Sequence, residues 1–332
     1  MQLDWPNYWL FEGHLREIFG QTLGGASGGL VEDSGSLEAL WTELNACVTP
    51  GGRAERHERP VTGAVSISQP PSSNMPNTTY LITGANRGLG LGLAEAFLAR
   101  PNATVIAAVR NPSNAESVAS LNALPLGDGS KLILVKIDSL SEPDAAAAVQ
   151  HLQTTYGISA LDVVVANSGI SNHAGPAVST PPDEVRSHFE VNAIGPLVLF
   201  QATAALLEAA AGKFFVMSSS AGSIGDMVPM PNTAYGSSKA AVNFITRKIH
   251  FEHPKITVVA LTPGWVQTEM GNSVADLYGV PRPTVTIKES IDGLVHIPPS
   301  NRSLTGGLKI DTANKAETSG TFINYQGKTR GW

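Results

Sequence analysis

With 332 residues, 42% hydrophobic and 15% charged, the chain is long enough to bury one large core or two modest ones, which excludes a wholly disordered protein. A net charge of -6 argues against nucleic acid as a partner. No uninterrupted run of about 18 apolar residues reads as a membrane span, and Met1-Gln2-Leu3-Asp4-Trp5-Pro6 lacks the segments of an export signal, so the expectation is a soluble, cytoplasmic protein with no membrane partner.

Residues 1–76 read as an N-terminal extension and linker of low order. Gly24-Gly25-Ala26-Ser27-Gly28-Gly29, Pro50-Gly51-Gly52 and the Pro/Ser-rich run from Ser66 to Pro76 have linker composition. Between them Leu37, Leu40, Trp41 and Leu44 recur at helical spacing, and Trp5 to Phe11 is densely aromatic, which leaves a docking segment or a misplaced translation start open. The single cysteine, Cys47, has no partner for a disulfide, and no Cys/His cluster has the spacing of a zinc site, so no metal is expected.

From Thr79 onward short apolar runs alternate with helical stretches. Strands are predicted at Tyr80 to Thr83, Thr104 to Val109, Lys131 to Lys136, Leu161 to Ala166, Lys213 to Met217 and Ile256 to Leu261. Leu89, Leu93, Ala94, Phe97 and Leu98 form an apolar stripe at helical spacing, and Ala145 to Tyr156 is amphipathic as well. The expected fold class is α/β: one domain over 77–332 built on a doubly wound parallel sheet of Rossmann type.

The first strand runs directly into Thr83-Gly84-Ala85-Asn86-Arg87-Gly88-Leu89-Gly90 and then a helix. Glycines let backbone approach a pyrophosphate, and a helix N-terminus offers it free N–H groups and partial positive charge, so this turn reads as a dinucleotide site. The second strand ends in Val109-Arg110, where a site for NAD would carry an acid to hold the ribose hydroxyls. A guanidinium suits a 2′-phosphate, and Arg87 in the glycine turn is within reach of the same group, so NADP(H) is the expected cofactor.

Tyr235 and Lys239, four residues apart, stack on one helical face. A nearby ammonium favours a phenolate, so the pair is expected to bring the tyrosine's proton exchange nearer neutrality and make it a general acid or base.

Taken together, Thr83-Gly84-x-x-x-Gly88-x-Gly90 and Tyr235-x-x-x-Lys239 resemble the paired signature of the short-chain dehydrogenase/reductase family. Asp138 resembles that family's acidic contact to the adenine, and Ala166-Asn167-Ser168-Gly169 its Asn-Asn-Ala-Gly turn, with alanine in place of the first asparagine. Val191-Asn192-Ala193-Ile194-Gly195 resembles the helix that carries a functional asparagine, Asn192. Met217-Ser218-Ser219 resembles the strand end bearing the catalytic serine, and Pro263 to Thr268 the turn over the nicotinamide, which brings Val266 and Thr268 to the cofactor. Three serines are consecutive; alignment on Gly222-Ser223-Ile224 and strand alternation select Ser219.

A closer likeness, to fungal norsolorinic acid ketoreductases, rests on Ala234-Tyr235-Gly236-x-Ser238-Lys239, on Arg247-Lys248-x-His250-Phe251-Glu252 and on Val266-Gln267-Thr268-x-Met270-Gly271. The resemblance implies reduction of a ketone, of an aromatic polyketide or another secondary metabolite, in a homodimer or homotetramer. It implies that Tyr235 protonates the oxygen, Ser219 orients it, Lys239 also binds the nicotinamide ribose, and Asn192 anchors a water that replenishes the proton. The substrate loop is expected at 269–286, with Met270, Val274, Leu277, Tyr278 and Val280 giving an apolar face, and Gly225 to Thr233 shapes the pocket mouth. His250 and His253 are expected to be structural. An alcohol dehydrogenase working in the oxidising direction and a non-catalytic NADP-binding regulator are the alternatives.

Overall fold

The computed structural model describes residues 77–295 and 310–332. The expectations for 1–76 lie outside the described residues. Seven strands form one sheet: β1 (Thr78–Thr83), β2 (Ala103–Val109), β3 (Lys131–Lys136), β4 (Val163–Ala166), β5 (Lys213–Met217), β6 (Thr257–Thr262) and β7 (Thr321–Asn324). Their spatial order is β3-β2-β1-β4-β5-β6-β7, and every neighbouring pair is parallel. The order reverses between β1 and β4, and a crevice opens at the carboxyl ends of strands at such a switch point.

Every residue of β2, β4 and β6 is buried, because helices cover both faces of the sheet. Alternation divides the side chains between two cores. Ile82, Phe215 and Leu261 pack on one face with Leu93, Phe97 and Leu98; Leu81, Phe214 and Val258 pack on the other with Leu152, Leu199 and Leu207. Strand β4 is shorter than the predicted Leu161 to Ala166. The Leu161 N–H bonds the carbonyl of Leu206 at 3.0 Å, and pairing with β5 begins only at Val163, opposite Lys213.

The helices are α1 (Gly88–Leu98), α2 (Ala115–Asn122), α3 (Glu142–Tyr156), α4 (Pro182–Phe189), α5 (Gly195–Ala210), α6 (Thr233–Glu252), α7 (Glu269–Tyr278) and α8 (Ile287–Val295). Helix α3 has acids in its first turn and ends on Gly157 at φ 66°, a conformation that glycine takes without strain. Between α4 and α5 lies a π turn, Glu190–Ile194, closed by the Gly195 N–H on the Glu190 carbonyl. The stretch Pro182–Ala210 is long and apolar enough by composition to cross a bilayer. It is interrupted by the buried polar side chains of His188, Asn192 and Thr203, and its apolar residues Leu199, Phe200, Leu206 and Leu207 belong to the core.

The substrate segment expected at 269–286 is a helix in its first part, α7, capped by the Thr268 hydroxyl accepting from the Gly271 N–H at 3.0 Å. His250 and His253 serve the framework: His250 Nδ1 lies 2.7 Å from Ser319 Oγ, and His253 Nδ1 lies 2.9 Å from Glu208. Trp332 stacks on Phe322 and lies against the Arg247 guanidinium.

Candidate active site

At the carboxyl end of β1 the chain needs glycine for geometric reasons. Gly84 and Gly88 have φ of 62° and 54°, and a Cβ on Gly90 would stand 2.1 Å from the Gly84 carbonyl oxygen. Thr83 splices this turn to β4: its Oγ1 accepts from the N–H groups of Asn167 (3.0 Å) and Ser168 (3.1 Å), and Asn167 Nδ2 donates to the Thr83 carbonyl at 2.9 Å. Asn86 Nδ2 donates to the Ser117 carbonyl at 3.2 Å, fixing the other side. Arg87 occupies the N-cap position of α1 without a side-chain cap, so its side chain leaves the first-turn N–H groups of Gly88, Leu89 and Gly90 to an outside anion. These features fit a pyrophosphate.

Around that turn stand the other expected contacts. Asp138 follows β3 and accepts from the Leu140 N–H at 3.1 Å. Arg110 follows β2, is exposed and makes no ion pair among the described residues. Arg87 is paired: its Nη1 lies 2.5 Å from Glu269 Oε2, at the first residue of α7. The turn carrying Val266 and Thr268 approaches the glycine turn closely, since a Cβ on Gly88 would lie 3.5 Å from the Thr268 methyl carbon.

Further along the carboxyl edge of the sheet lie the groups expected to move protons. Strand β5 ends at Met217, and alternation sends the next two serines apart. Ser218 is buried, donating to Asn243 Oδ1 at 2.6 Å, whereas Ser219 is partly exposed, its Oγ accepting from the Ala221 N–H at 3.2 Å and lying beside Tyr235. Tyr235 and Lys239 share one face of α6, with Lys239 Nζ 5.7 Å from the tyrosine ring centroid. Lys239 is 4% exposed and donates to the Met217 carbonyl at 2.8 Å. Asn192, on the π turn, is fully buried: its Oδ1 accepts from the Ile170 N–H (2.9 Å), and its Nδ2 donates to the Ile170 carbonyl (3.0 Å) and to Ser238 Oγ (3.0 Å). A Cβ on Gly169 would fall 3.1 Å from Asn192 Oδ1 and 3.5 Å from Lys239 Nζ, so these groups converge on one small residue.

The expected downward pull of Lys239 on Tyr235 is corrected by this geometry. Burial raises the tyrosine's pKa, the Ser219 hydroxyl opposes the rise, and Tyr278 adds to it. Burial also lowers Lys239, to about 8, and its ammonium is directed at a main-chain carbonyl rather than at the phenol. Tyr235 therefore keeps its proton at neutral pH and is poised as an acid.

Two residues gain roles that spacing does not reveal. Tyr278, expected only as part of an apolar face, interacts with Tyr235 electrostatically, and its hydroxyl donates to the Pro231 carbonyl at 3.1 Å. The same carbonyl accepts from the Gly175 N–H at 2.7 Å, so Pro231 joins the loop after β4, the loop before α6 and helix α7. Glu269 is the other, through Arg87. Both contacts join distant parts of the chain, 47 and 182 residues apart, and no local pattern encodes them.

A glycine turn at the switch point and a Ser-Tyr-Lys cluster at the same end of one parallel sheet define a dinucleotide-dependent oxidoreductase. The short chain dehydrogenase family model matches residues 78–278, and the chain belongs to that family, whose cofactor is a nicotinamide dinucleotide. It is 40% identical over 272 residues to a norsolorinic acid ketoreductase of Dothistroma septosporum, covering 80% of this chain and 96% of that one. A norsolorinic acid ketoreductase of Emericella nidulans is 41% identical over 268 residues, with 80% and 96% covered. Among solved structures, the NADPH-bound carbonyl reductase from chicken fatty liver is similar with a TM-score of 0.63 and 28% identity, over 77% of this chain and 94% of that one.

Proposed function

We propose that the chain is an NADPH-dependent ketoreductase acting on an aromatic polyketide or a related secondary-metabolite ketone. The observation that carries the reading is that Ser219 and Lys239 both flank Tyr235, with Lys239 Nζ 5.7 Å from its ring centroid, at the same carboxyl edge of the sheet as the glycine turn. Two relatives named for reduction of norsolorinic acid support the substrate class, and a similar carbonyl reductase solved with NADPH supports the cofactor. Met227, Met230, Met270 and Leu277 are exposed on the two segments joined at Pro231, an apolar surface suited to a flat ring system.

NADP(H), when bound, supplies the hydride. Tyr235 gives its proton to the ketone oxygen as negative charge develops there, and its raised pKa keeps that proton in place at neutral pH until needed. Ser219 holds the same oxygen by hydrogen bonding, a contact that strengthens as the charge grows. Lys239, with a pKa of about 8, is mostly protonated at neutral pH and holds a positive charge beneath the phenol. Asn192 clamps the loop after β4 to α6 through Ile170 and Ser238 and so positions both. Arg110, with Arg87, supports recognition of the 2′-phosphate.

Tyr235→Phe tests the reading. Turnover of polycyclic ketones with NADPH falls by about 10²- to 10⁴-fold while NADPH binding is unchanged; equal turnover overturns the acid assigned, and a clear preference for NADH overturns the cofactor. The same reading carries a homodimer or homotetramer, for which the exposed Phe244 and Phe251 on α6 offer an apolar face. A monomer in sedimentation removes that part.

A further inference from the structure

Arg87 and Glu269 stand where two functional segments meet. Arg87 precedes the first turn of α1, which cradles the pyrophosphate site, and Glu269 is the first residue of α7, which opens the substrate segment. Their ion pair is 2.5 Å long and open to water, with side chains 64% and 74% exposed. Beneath it a Cβ built on Gly88 would lie 3.5 Å from the Thr268 methyl carbon, so the two side chains start from neighbouring positions. Arg110, the other arginine expected to meet the 2′-phosphate, makes no ion pair among the described residues. Only one of the two guanidiniums is therefore held by a carboxylate.

We propose that Glu269 sets the affinity for the 2′-phosphorylated cofactor by occupying Arg87 until the phosphate displaces it, an inference that rests on the reading that Arg87 meets that phosphate. The exchange is chemically balanced. A carboxylate carries one negative charge and a phosphate monoester about 1.5 to 2, and both offer oxygens to the same planar fork of donors, so the phosphate wins the guanidinium. The displaced carboxylate remains favourable where it is, in the first turn of α7 at the positive end of that helix. Losing the pair still subtracts from the gain. NADH, which has no 2′-phosphate, leaves the pair intact. Glu269 thereby narrows the advantage of NADPH over NADH, and arrival of NADPH frees the first residue of the substrate helix from the glycine turn.

The test is a fluorescence titration of NADPH and NADH against the full chain, Glu269→Gln, Arg87→Ala and the double variant, at low ionic strength. Glu269→Gln is expected to tighten NADPH by about two- to fivefold, the range an exposed ion pair spans, with no change for NADH and no gain on the Arg87→Ala background. Arg87→Ala alone weakens NADPH more than NADH. No tightening by Glu269→Gln, an equal gain for NADH, or a gain that survives Arg87→Ala overturns the proposal. The Arg87→Ala arm separates the two failures: an unchanged NADPH/NADH ratio removes the role of Arg87 and the inference with it, whereas a collapsed ratio with a silent Glu269→Gln removes the inference alone.

Discussion

Replacing Lys239 by methionine exposes how the site is held together. The ammonium is 4% exposed, and burial lowers its pKa from 10.5 to about 8. At 1.36 kcal/mol per pH unit, that drop means the folded state carries about 3 kcal/mol of unfavourable free energy when the lysine is protonated in both states. Proton uptake sets the sign. Between pH 8 and 10.5 the unfolded chain binds more protons at this position than the folded one, so wild-type stability rises with pH there, and below pH 8 the whole penalty is present. Lys239→Met has no such group. It removes the penalty but leaves the Met217 carbonyl without its 2.8 Å partner, a loss of about 1–3 kcal/mol, so near pH 7 the variant is as stable as wild type or up to about 2 kcal/mol more so. Urea unfolding of both proteins without cofactor, followed by circular dichroism from pH 6 to 10, isolates the lysine's contribution, because other titrations cancel in the difference. Wild type should gain roughly 2–3 kcal/mol on the variant across that range. A difference that stays flat refutes the claim that burial depresses Lys239, and with it the view that this charge is kept at a cost in stability for chemistry.

The paired serines make a second test: Ser219→Ala should lower turnover by about 10²-fold and lose about 1 kcal/mol with its cap on the Ala221 N–H, while Ser218→Ala should lose about 1–3 kcal/mol in denaturant unfolding and keep its turnover number. Gly90→Ala should weaken cofactor binding by at least about tenfold in a fluorescence titration, because its Cβ would meet the Gly84 carbonyl at 2.1 Å and move the turn; unaltered binding would show that the turn yields. Tyr278→Phe removes one hydrogen bond to Pro231, worth about 1 kcal/mol, so KM for the ketone should rise about fivefold and limited proteolysis within α7 should quicken, with NADPH affinity unmoved.

Much of this architecture is legible in the chain because its strands are buried on both faces. Thr104 to Val109 and Lys213 to Met217 are apolar for most of their length, and only a doubly covered parallel sheet requires that. The glycine turn and the Tyr235–Lys239 spacing are local, so geometry can be read from sequence there. The start of β4 is less clear, since Leu161 is as apolar as its successors and only the distant Leu206 carbonyl holds it outside the strand. The direction of the Tyr235 shift is hidden for another reason: four-residue spacing brings an ammonium near a phenol, but burial of both groups decides the sign. Arg87 and Glu269, or Tyr278 and Pro231, meet through loop paths that carry no periodicity. The π turn does leave a trace. Pro196 has no N–H for the Asn192 carbonyl, and in a regular helix its ring would crowd that carbonyl, so an irregular turn is demanded before it.

That π turn has a consequence for how the family's sequences can drift. One residue more than a regular helix needs is stored between Phe189 and Gly195, and each residue added to or taken from a helix rotates the downstream segment by about 100°. Point changes along this stretch leave the bearing of Asn192 alone, because the count of residues sets it. An insertion or deletion there re-aims the amide away from Ile170 and Ser238, even if every other side chain is retained. Length, more than identity, is what the middle of this helix must conserve.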